Sequence, residues 1–391
     1  MNRILATSLA IGIVAGCGSG GSAASPGLAA TPDATAVAAS VLPSAAPTAF
    51  PTVAFAGLTE GPVPNNVAAK YQAVLEEMAA GGGITATVIS ADGMWSGAFG
   101  KADGVDDLSV DSQFGIASGT KPIVATQVMQ LVEAGEISLD APAIEYLPGD
   151  FTFDTNGATI RQLLSHRSGI PDWYSDAIEA QVAADRSHVW EVEDVLALVR
   201  AARRPVGSSE YADTNYNLLG LVIEHVRQRP LMEVLRGGAL RVPGTERLIY
   251  QPDEAPTDPM AMPRGEPRTA LEQGAGFLPS MSEATSCGPA CAMASDSISL
   301  ARWWRAFCAG EIVSEASLIE MSTLYDDGYG LGLFNPVGGR APAIGHLGKN
   351  FGYVSAAGCL TEDHVIVVVL TNRVTATADL AVPLAMAAIS D

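Results

Sequence analysis

Ser118 and Lys121 stand three residues apart in the stretch Phe114-Gly115-Ile116-Ala117-Ser118-Gly119-Thr120-Lys121-Pro122. A hydroxyl beside an amine at a helix start is the arrangement of an activated serine nucleophile, because the amine can hold or shuttle the hydroxyl's proton. The bland alternative is a serine that caps a helix and a lysine that stays in water. The chain has four lysines, Lys70, Lys101, Lys121 and Lys349, and a Ser-x-x-Lys spacing arises by chance in chains of this size. What raises this pair above chance lies further along the chain.

The pair needs a rigid mount, and the flanking pattern supplies one. Phe114 to Ala117 reads as a strand-like approach, then a turn, then a helix to Ala134 with Val124, Val128, Leu131 and Val132 on one face. Gly135 is a stop signal. Pro122 is tolerated only near the start, where its missing N–H has no partner to lose. The helix is therefore expected to begin at or just before Ser118, which puts the hydroxyl at its positive end. Asn66 to Ala80 reads as a helix, and Ile84–Ser90 with Met94–Gly100 as an antiparallel hairpin. The middle of the chain reads as helix and loop: Arg161–Ser165, Glu191–Ala202 and Asn215–Gln228 are expected helices. Ser295 or Asp296 caps a helix to Phe307, Tyr353–Leu360 and His364–Thr371 are strands, and Ala378–Ile389 closes the chain as a helix. Strands at both ends and helices between them predict an α/β (α+β) fold. Its antiparallel sheet is flanked by N- and C-terminal helices and carries a large, mostly helical insertion. Ser118 sits at the junction, where a cleft is expected.

The 391 residues carry 43 acidic against 22 basic side chains, a net charge of −21 and a pI near 4.5. That balance argues against nucleic acid and against electrostatic attachment to anionic lipid. Arg3 precedes an apolar run from Ile4 to Gly16, too short to span a bilayer and laid out like a secretory signal. The run ends Val14-Ala15-Gly16-Cys17, which resembles the lipobox of bacterial lipoproteins and implies a signal peptide over 1–16 and a lipid anchor on Cys17. Export to the outer face of the cytoplasmic membrane follows from that reading, and residues 17–65, rich in Ala, Ser, Thr and Pro, read as a flexible tether. Cys287, Cys291, Cys308 and Cys359 suggest two disulfides among three possible pairings. Their spacing lacks Cys-x-x-Cys and a nearby His pair, so no metal and no cofactor is expected. Of the five histidines only His346 falls in a suggestive context; His166, His188, His225 and His364 read as structural.

Two further stretches complete the pattern. Tyr211-Ala212-Asp213 precedes the third central helix, and Gly345-His346-Leu347-Gly348-Lys349-Asn350 precedes a terminal strand. With Ser118-Gly119-Thr120-Lys121 they resemble, in order and spacing, the Ser-x-x-Lys, Tyr-x-Asn and Lys/His-x-Gly signatures of the serine β-lactamase and penicillin-binding protein superfamily. The branch of class C β-lactamases, D-alanyl-D-alanine carboxypeptidases and related esterases is the nearest match, and Ile160 to Pro171 also looks like it. The resemblance covers residues 66 to 391, divided into an α/β part (66–117 and 281–391) and a helical part (118–280). It implies Ser118 as acylated nucleophile, Lys121 as proton shuttle and Tyr211 as general base, ionised with help from the Lys121 charge. The backbone N–H groups of Ser118 and Lys349 would form the oxyanion hole. Asp213, His346 and Gly348 would bind substrate, His346 by tuning protonation and Gly348 by letting substrate approach the strand edge. Two departures stand out: Asp213 replaces an asparagine, and Leu347 replaces a hydroxyl residue. A carboxylate only accepts hydrogen bonds, so recognition of penicillins or D-Ala-D-Ala ends is expected to suffer. The resulting expectation is a membrane-anchored serine hydrolase acting on a small ester, peptide or peptidoglycan-like substrate. Its rivals are a catalytically silent surface scaffold, and a D-alanyl-D-alanine carboxypeptidase or weak β-lactamase.

Overall fold

The sheet forms where the residues alternate or run apolar. Strands β1 (Ile84–Ser90) and β2 (Gly93–Phe99) make the expected hairpin, in register from Ile84 opposite Phe99 to Ser90 opposite Gly93. Three short strands, β3 (Phe114–Gly115), β4 (Ile249–Tyr250) and β5 (Met293–Ser295), build a second sheet in the order β3-β5-β4. Strands β6 (Ala343–Asn350), β7 (Tyr353–Leu360) and β8 (Val365–Thr371) complete the large sheet, ordered β2-β1-β8-β7-β6 with every pairing antiparallel. β6 is thus an edge. The computed structural model describes residues 49–79, 81–201, 203–256, 260–263, 280–350, 352–373 and 379–390, all within one unit, Ala39–Asp391. Cys17, the expected signal peptide and most of the expected tether lie outside the described residues.

Both faces of the large sheet are covered, which is why β1, β7 and β8 are buried along their whole length and β8 reads Val-Ile-Val-Val-Val-Leu without polar alternation. On one face the helices Asn65–Ala79 and Val382–Ile389 place Tyr71, Leu75 and Leu384 against Val88, Val367 and Val369. On the other, the helix Ser297–Cys308 presents Trp303, Trp304 and Phe307 to Ile366, Val368 and Leu370. Each such side chain contributes roughly 1.5–3 kcal/mol on burial. The Cys308–Cys359 disulfide ties that helix to β7. It closes a loop of 51 residues, a constraint worth roughly 4 kcal/mol in the chain-entropy picture. The helical part rests against the end of the sheet formed by β6 and the turn that carries Ser118.

Four expectations need correction. The tether does not extend to residue 65: Thr52–Ala56 is a helix, Phe55 is fully buried, and Glu60 pairs with Arg302 at 2.8 Å, so the folded body starts by Phe50. Few apolar residues were enough here because the Ser297–Cys308 helix offers a ready surface. The Glu191–Ala202 helix is only Val192–Leu196. After it Leu198 and Val199 close three-residue turns onto Val195 and Leu196, and Arg203 and Arg204 pair with Asp154 and Glu210. The His346 segment does not merely precede a strand; it is β6, a poor strand former by composition that is held by pairing with β7. Helices Asp176–Ala184, Leu231–Gly237 and Glu315–Ser322 were not anticipated.

Candidate active site

Ser118 lies in a short 3₁₀ turn, Ala117–Thr120, that runs into the helix Lys121–Glu133. The helix starts at Lys121, not at Ser118, so the nucleophile stands one turn ahead of the helix proper. Ala117 is held at φ +50°, a conformation that costs a residue with a side chain about 1 kcal/mol or more. The surroundings fix it: Ile116 N–H donates to Met293 O, Met293 N–H donates to Thr120 Oγ1, and Ser355 Oγ donates to Ile116 O at 2.6 Å.

Lys121 is fully buried and its three ammonium directions are all engaged. Nζ lies 3.0 Å from Ser118 Oγ, 2.6 Å from Asp213 Oδ1 and 3.0 Å from the carbonyl of Ala290. It also sits 4.9 Å from the Tyr211 ring centroid and 5.5 Å from that of Tyr216. Ser118 lies close enough to the Tyr211 phenol to favour its charged form. Three distant pieces of chain therefore meet at one hydroxyl. Tyr211 remains 45% exposed over the residue as a whole, so its ring forms part of the open cleft. Desolvation of the phenol and then the Asp213 charge push it well above the usual tyrosine range, and the nearby Ser118 only partly offsets this. The expected phenolate is therefore not favoured: the Lys121 charge is opposed by the Asp213 carboxylate beside it. Tyr211 rests as a phenol.

The segment Ile160 to Pro171 explains how Tyr211 and Asp213 are aimed. Ser168 Oγ donates to Asn215 Oδ1, Thr214 Oγ1 donates to Pro171 O, and Thr214 Oγ1 accepts from Trp173 N–H. These bonds clamp the start of the helix Asp213–Arg227. Asp172 Oδ1 accepts the Asp213 N–H at 3.2 Å, and burial followed by the Asp213 charge raises the Asp172 carboxyl to about 8. His166, which sequence reading assigned to structure, packs against Tyr211 with ring centroids 4.2 Å apart and the planes tilted by 36°. Its Nδ1 accepts from Ala212 N–H and Asn215 Nδ2, so Nε2 carries the proton, and no described group accepts it. Desolvation, then the Lys121 charge, lowers it well below the usual histidine range. Its place in the motif Ser165-His166-Arg167-Ser168-Gly169 was the available signal.

The opposite wall is β6. His346 is neutral: burial, then Lys121, lowers it to about 3. Its Nδ1 donates to Leu347 O at 2.5 Å, which leaves Nε2 to accept from the Tyr329 hydroxyl at 3.0 Å. Tyr329 was not singled out in the sequence; no motif marks it. Leu347 packs against the far-side cluster of the sheet and offers no hydroxyl. Gly348 is required for a reason other than the one expected. A Cβ there would lie 2.1 Å from Ile116 O and 2.5 Å from Ser355 Oγ, so the space is filled by the nucleophile turn rather than left to substrate. Gly348 lets β6 close on Ser118. Gly345 exchanges both backbone bonds with Phe334, away from β7, and the unbroken β6–β7 register carries that outward alternation to Lys349. The Lys349 N–H therefore points out from the sheet edge beside the turn of Ser118, as an oxyanion donor must.

Residues 67–389 match the Beta-lactamase family. The chain belongs to it. Membership places the protein among serine hydrolases of the β-lactamase and penicillin-binding type. It is 33% identical to Penicillin-binding protein 4 of Amycolatopsis lactamdurans over 164 residues, 41% of this chain and 42% of that protein. It is 34% identical to Esterase EstB of Burkholderia gladioli over 135 residues, 31% and 34% of the two chains. The aligned part thus spans less than half the length of either relative. The fold is shared with a D-amino acid amidase from Ochrobactrum anthropi SV3 at a TM-score of 0.69 and 22% identity, over 83% of this chain and 99% of that one. A D-stereospecific amidohydrolase from Streptomyces sp. superposes at 0.65 with 27% identity, over 81% and 97%.

Proposed function

We propose that this protein hydrolyses esters or amides through an acyl-enzyme on Ser118. The observation that carries the reading is Lys121 Nζ at 3.0 Å from Ser118 Oγ, with the Tyr211 ring 4.9 Å from the same nitrogen. Attack of Oγ on a carbonyl carbon sends the serine proton to Lys121, which passes one of its own along the 2.6 Å contact to Asp213. The carbonyl oxygen moves toward the N–H groups of Ser118 and Lys349. Tyr211, a phenol at rest, gives its proton to the leaving oxygen or nitrogen, and the phenolate so formed takes back, by way of Lys121, the proton that the relay left on Asp213, so that the net transfer is from serine to leaving group. Water then cleaves the acyl-enzyme by the same route in reverse.

The cleft points to substrates without a carboxylate. His346 has no free donor, residue 347 has no hydroxyl, and Asp213 cannot donate. Small esters and amino-acid amides fit these walls better than penicillins or D-Ala-D-Ala ends. The named activities of the esterase relative and of the D-stereospecific amidohydrolase support that choice. We further infer export and lipid attachment at Cys17, supported by the apolar run that ends Val14-Ala15-Gly16-Cys17. A panel of p-nitrophenyl esters, D-amino-acid amides and a chromogenic cephalosporin tests the chemistry. Ester or amide turnover that vanishes in Ser118→Ala is expected. Cephalosporin hydrolysis as fast as ester hydrolysis contradicts the substrate class.

A further inference from the structure

We propose that the Cys287–Cys291 disulfide is a positioning clip for Lys121, so that turnover at Ser118 depends on its being closed; this rests on the serine-hydrolase reading above. The bond spans four residues and joins the last residue of the helix Met281–Cys287 to the residue after the turn Gly288–Ala290. Inside that small ring lies Ala290, whose carbonyl takes the third Nζ contact of Lys121 at 3.0 Å. The same bridge reaches the other wall: Asn350 Nδ2 lies 3.2 Å from Cys287 Sγ, one residue after the Lys349 N–H. Pro289 rests on the helix of Asp213. A Cβ on Gly220 would lie 2.3 Å from Pro289 Cγ, so the turn has no slack on that side.

The chemistry needs this carbonyl because of what an amine presents. A carbonyl only accepts, so it always engages an N–H of Lys121. With Asp213 Oδ1 holding a second N–H, the remaining direction of the nitrogen is aimed at Ser118 Oγ, for proton transfer either way. Without Ala290 O the nitrogen can rotate about Cε–Nζ, and the aim is lost. Displacements near 1 Å at such a point cost on the order of 10²-fold in rate. Cys287 and Cys291 are 2% and 5% exposed, so the clip is shielded at rest. A small dithiol that opens it forms its own cyclic disulfide and leaves two protein thiols, two electrons and two protons having moved.

The test uses the full chain. Cys287→Ser/Cys291→Ser is compared with Cys308→Ser/Cys359→Ser, reading kcat and KM on a p-nitrophenyl ester, labelling rate with a fluorophosphonate, and melting temperature. Opening the clip is expected to lower kcat and labelling rate about 10- to 100-fold with KM within about twofold. Opening the other bridge is expected to lower the melting temperature and leave kcat, measured below the transition, near wild type. Should the clip variant not fold, Gly220→Ala pushes on Pro289 and Ala290 without touching a cysteine and is expected to give the same split between kcat and KM. A folded variant of either kind with wild-type kcat and labelling rate overturns the clip while leaving the serine chemistry standing. A wild type that neither turns over ester nor labels takes down both.

Discussion

The two walls of the cleft are built on opposite principles. On the Ser118 wall a fully buried lysine is wrapped by three acceptors, from Ser118, Asp213 and Ala290. On the β6 wall the ionisable group is a histidine kept neutral, with both nitrogens occupied by Leu347 O and the Tyr329 hydroxyl. One wall concentrates charge where a proton must move; the other removes it where a substrate would lie. The difference suggests that reaction and recognition are separable in this molecule. Changes to the first wall should alter kcat, and changes to the second should alter KM.

The largest effect expected is from Tyr211→Phe, which removes the proton donor and should lower kcat about 10²- to 10⁴-fold with the fold intact. Ester kinetics with circular dichroism checks it, and near-normal rates would remove Tyr211 from the chemistry. Asp213→Asn sharpens the contrast further. It removes the charge that pairs with Lys121 and the acceptor for its proton, so it should lower kcat on esters at least about tenfold with KM nearly constant. A change confined to KM would mean that Asp213 belongs to recognition and not to reaction.

The β6 wall should respond more weakly. Tyr329→Phe frees His346 Nε2 at the cost of one neutral hydrogen bond, about 1 kcal/mol. A shift in KM of about fivefold with kcat nearly constant is expected in steady-state kinetics. A kcat loss as deep as that of Tyr211→Phe would break the division between walls.

The smallest effect is on stability against pH. Asp172 is raised to about 8 from an unfolded value near 4, so the native state binds the extra proton between those limits and stability falls as pH rises through them. His346, lowered to about 3 from about 6.5, acts oppositely: its contribution is complete above pH 6.5 and is lost as pH falls toward 3. Between pH 6.5 and 8 only the Asp172 slope remains of these two. Melting temperature should decline there in the wild type and flatten in Asp172→Asn; an equal decline in both would place the cause elsewhere.

The sequence made the charged wall easier to read than the neutral one, for physical reasons. Lys121 and Asp213 begin helices, and Ser118 stands one turn ahead of the first of them, where apolar periodicity and stop signals mark the backbone on their own. The sheet was legible for a related reason, since β1 and β8 are dominated by β-branched residues. Gly345 to Asn350 has no such pattern and becomes β6 only through its partner β7. Tyr329 and Ala290 could not be found from local sequence at all. Each acts through a contact formed by folding, Ala290 across 169 positions to Lys121 and Tyr329 across 17 to His346. His166 was visible in a motif, but its contact with the Tyr211 ring depends on a backbone at φ +56° that no pattern announced. Phe50 and Phe55 were hidden by the low-complexity residues around them.

The most direct test of the account is to trap the acyl-type adduct and find the atom that carries it. The full chain is incubated with a fluorophosphonate, digested, and its adduct mapped by mass spectrometry, beside Ser118→Ala. The account predicts one adduct, on Ser118, and none in the variant. An adduct on another residue, or ester turnover that survives in Ser118→Ala, would contradict it.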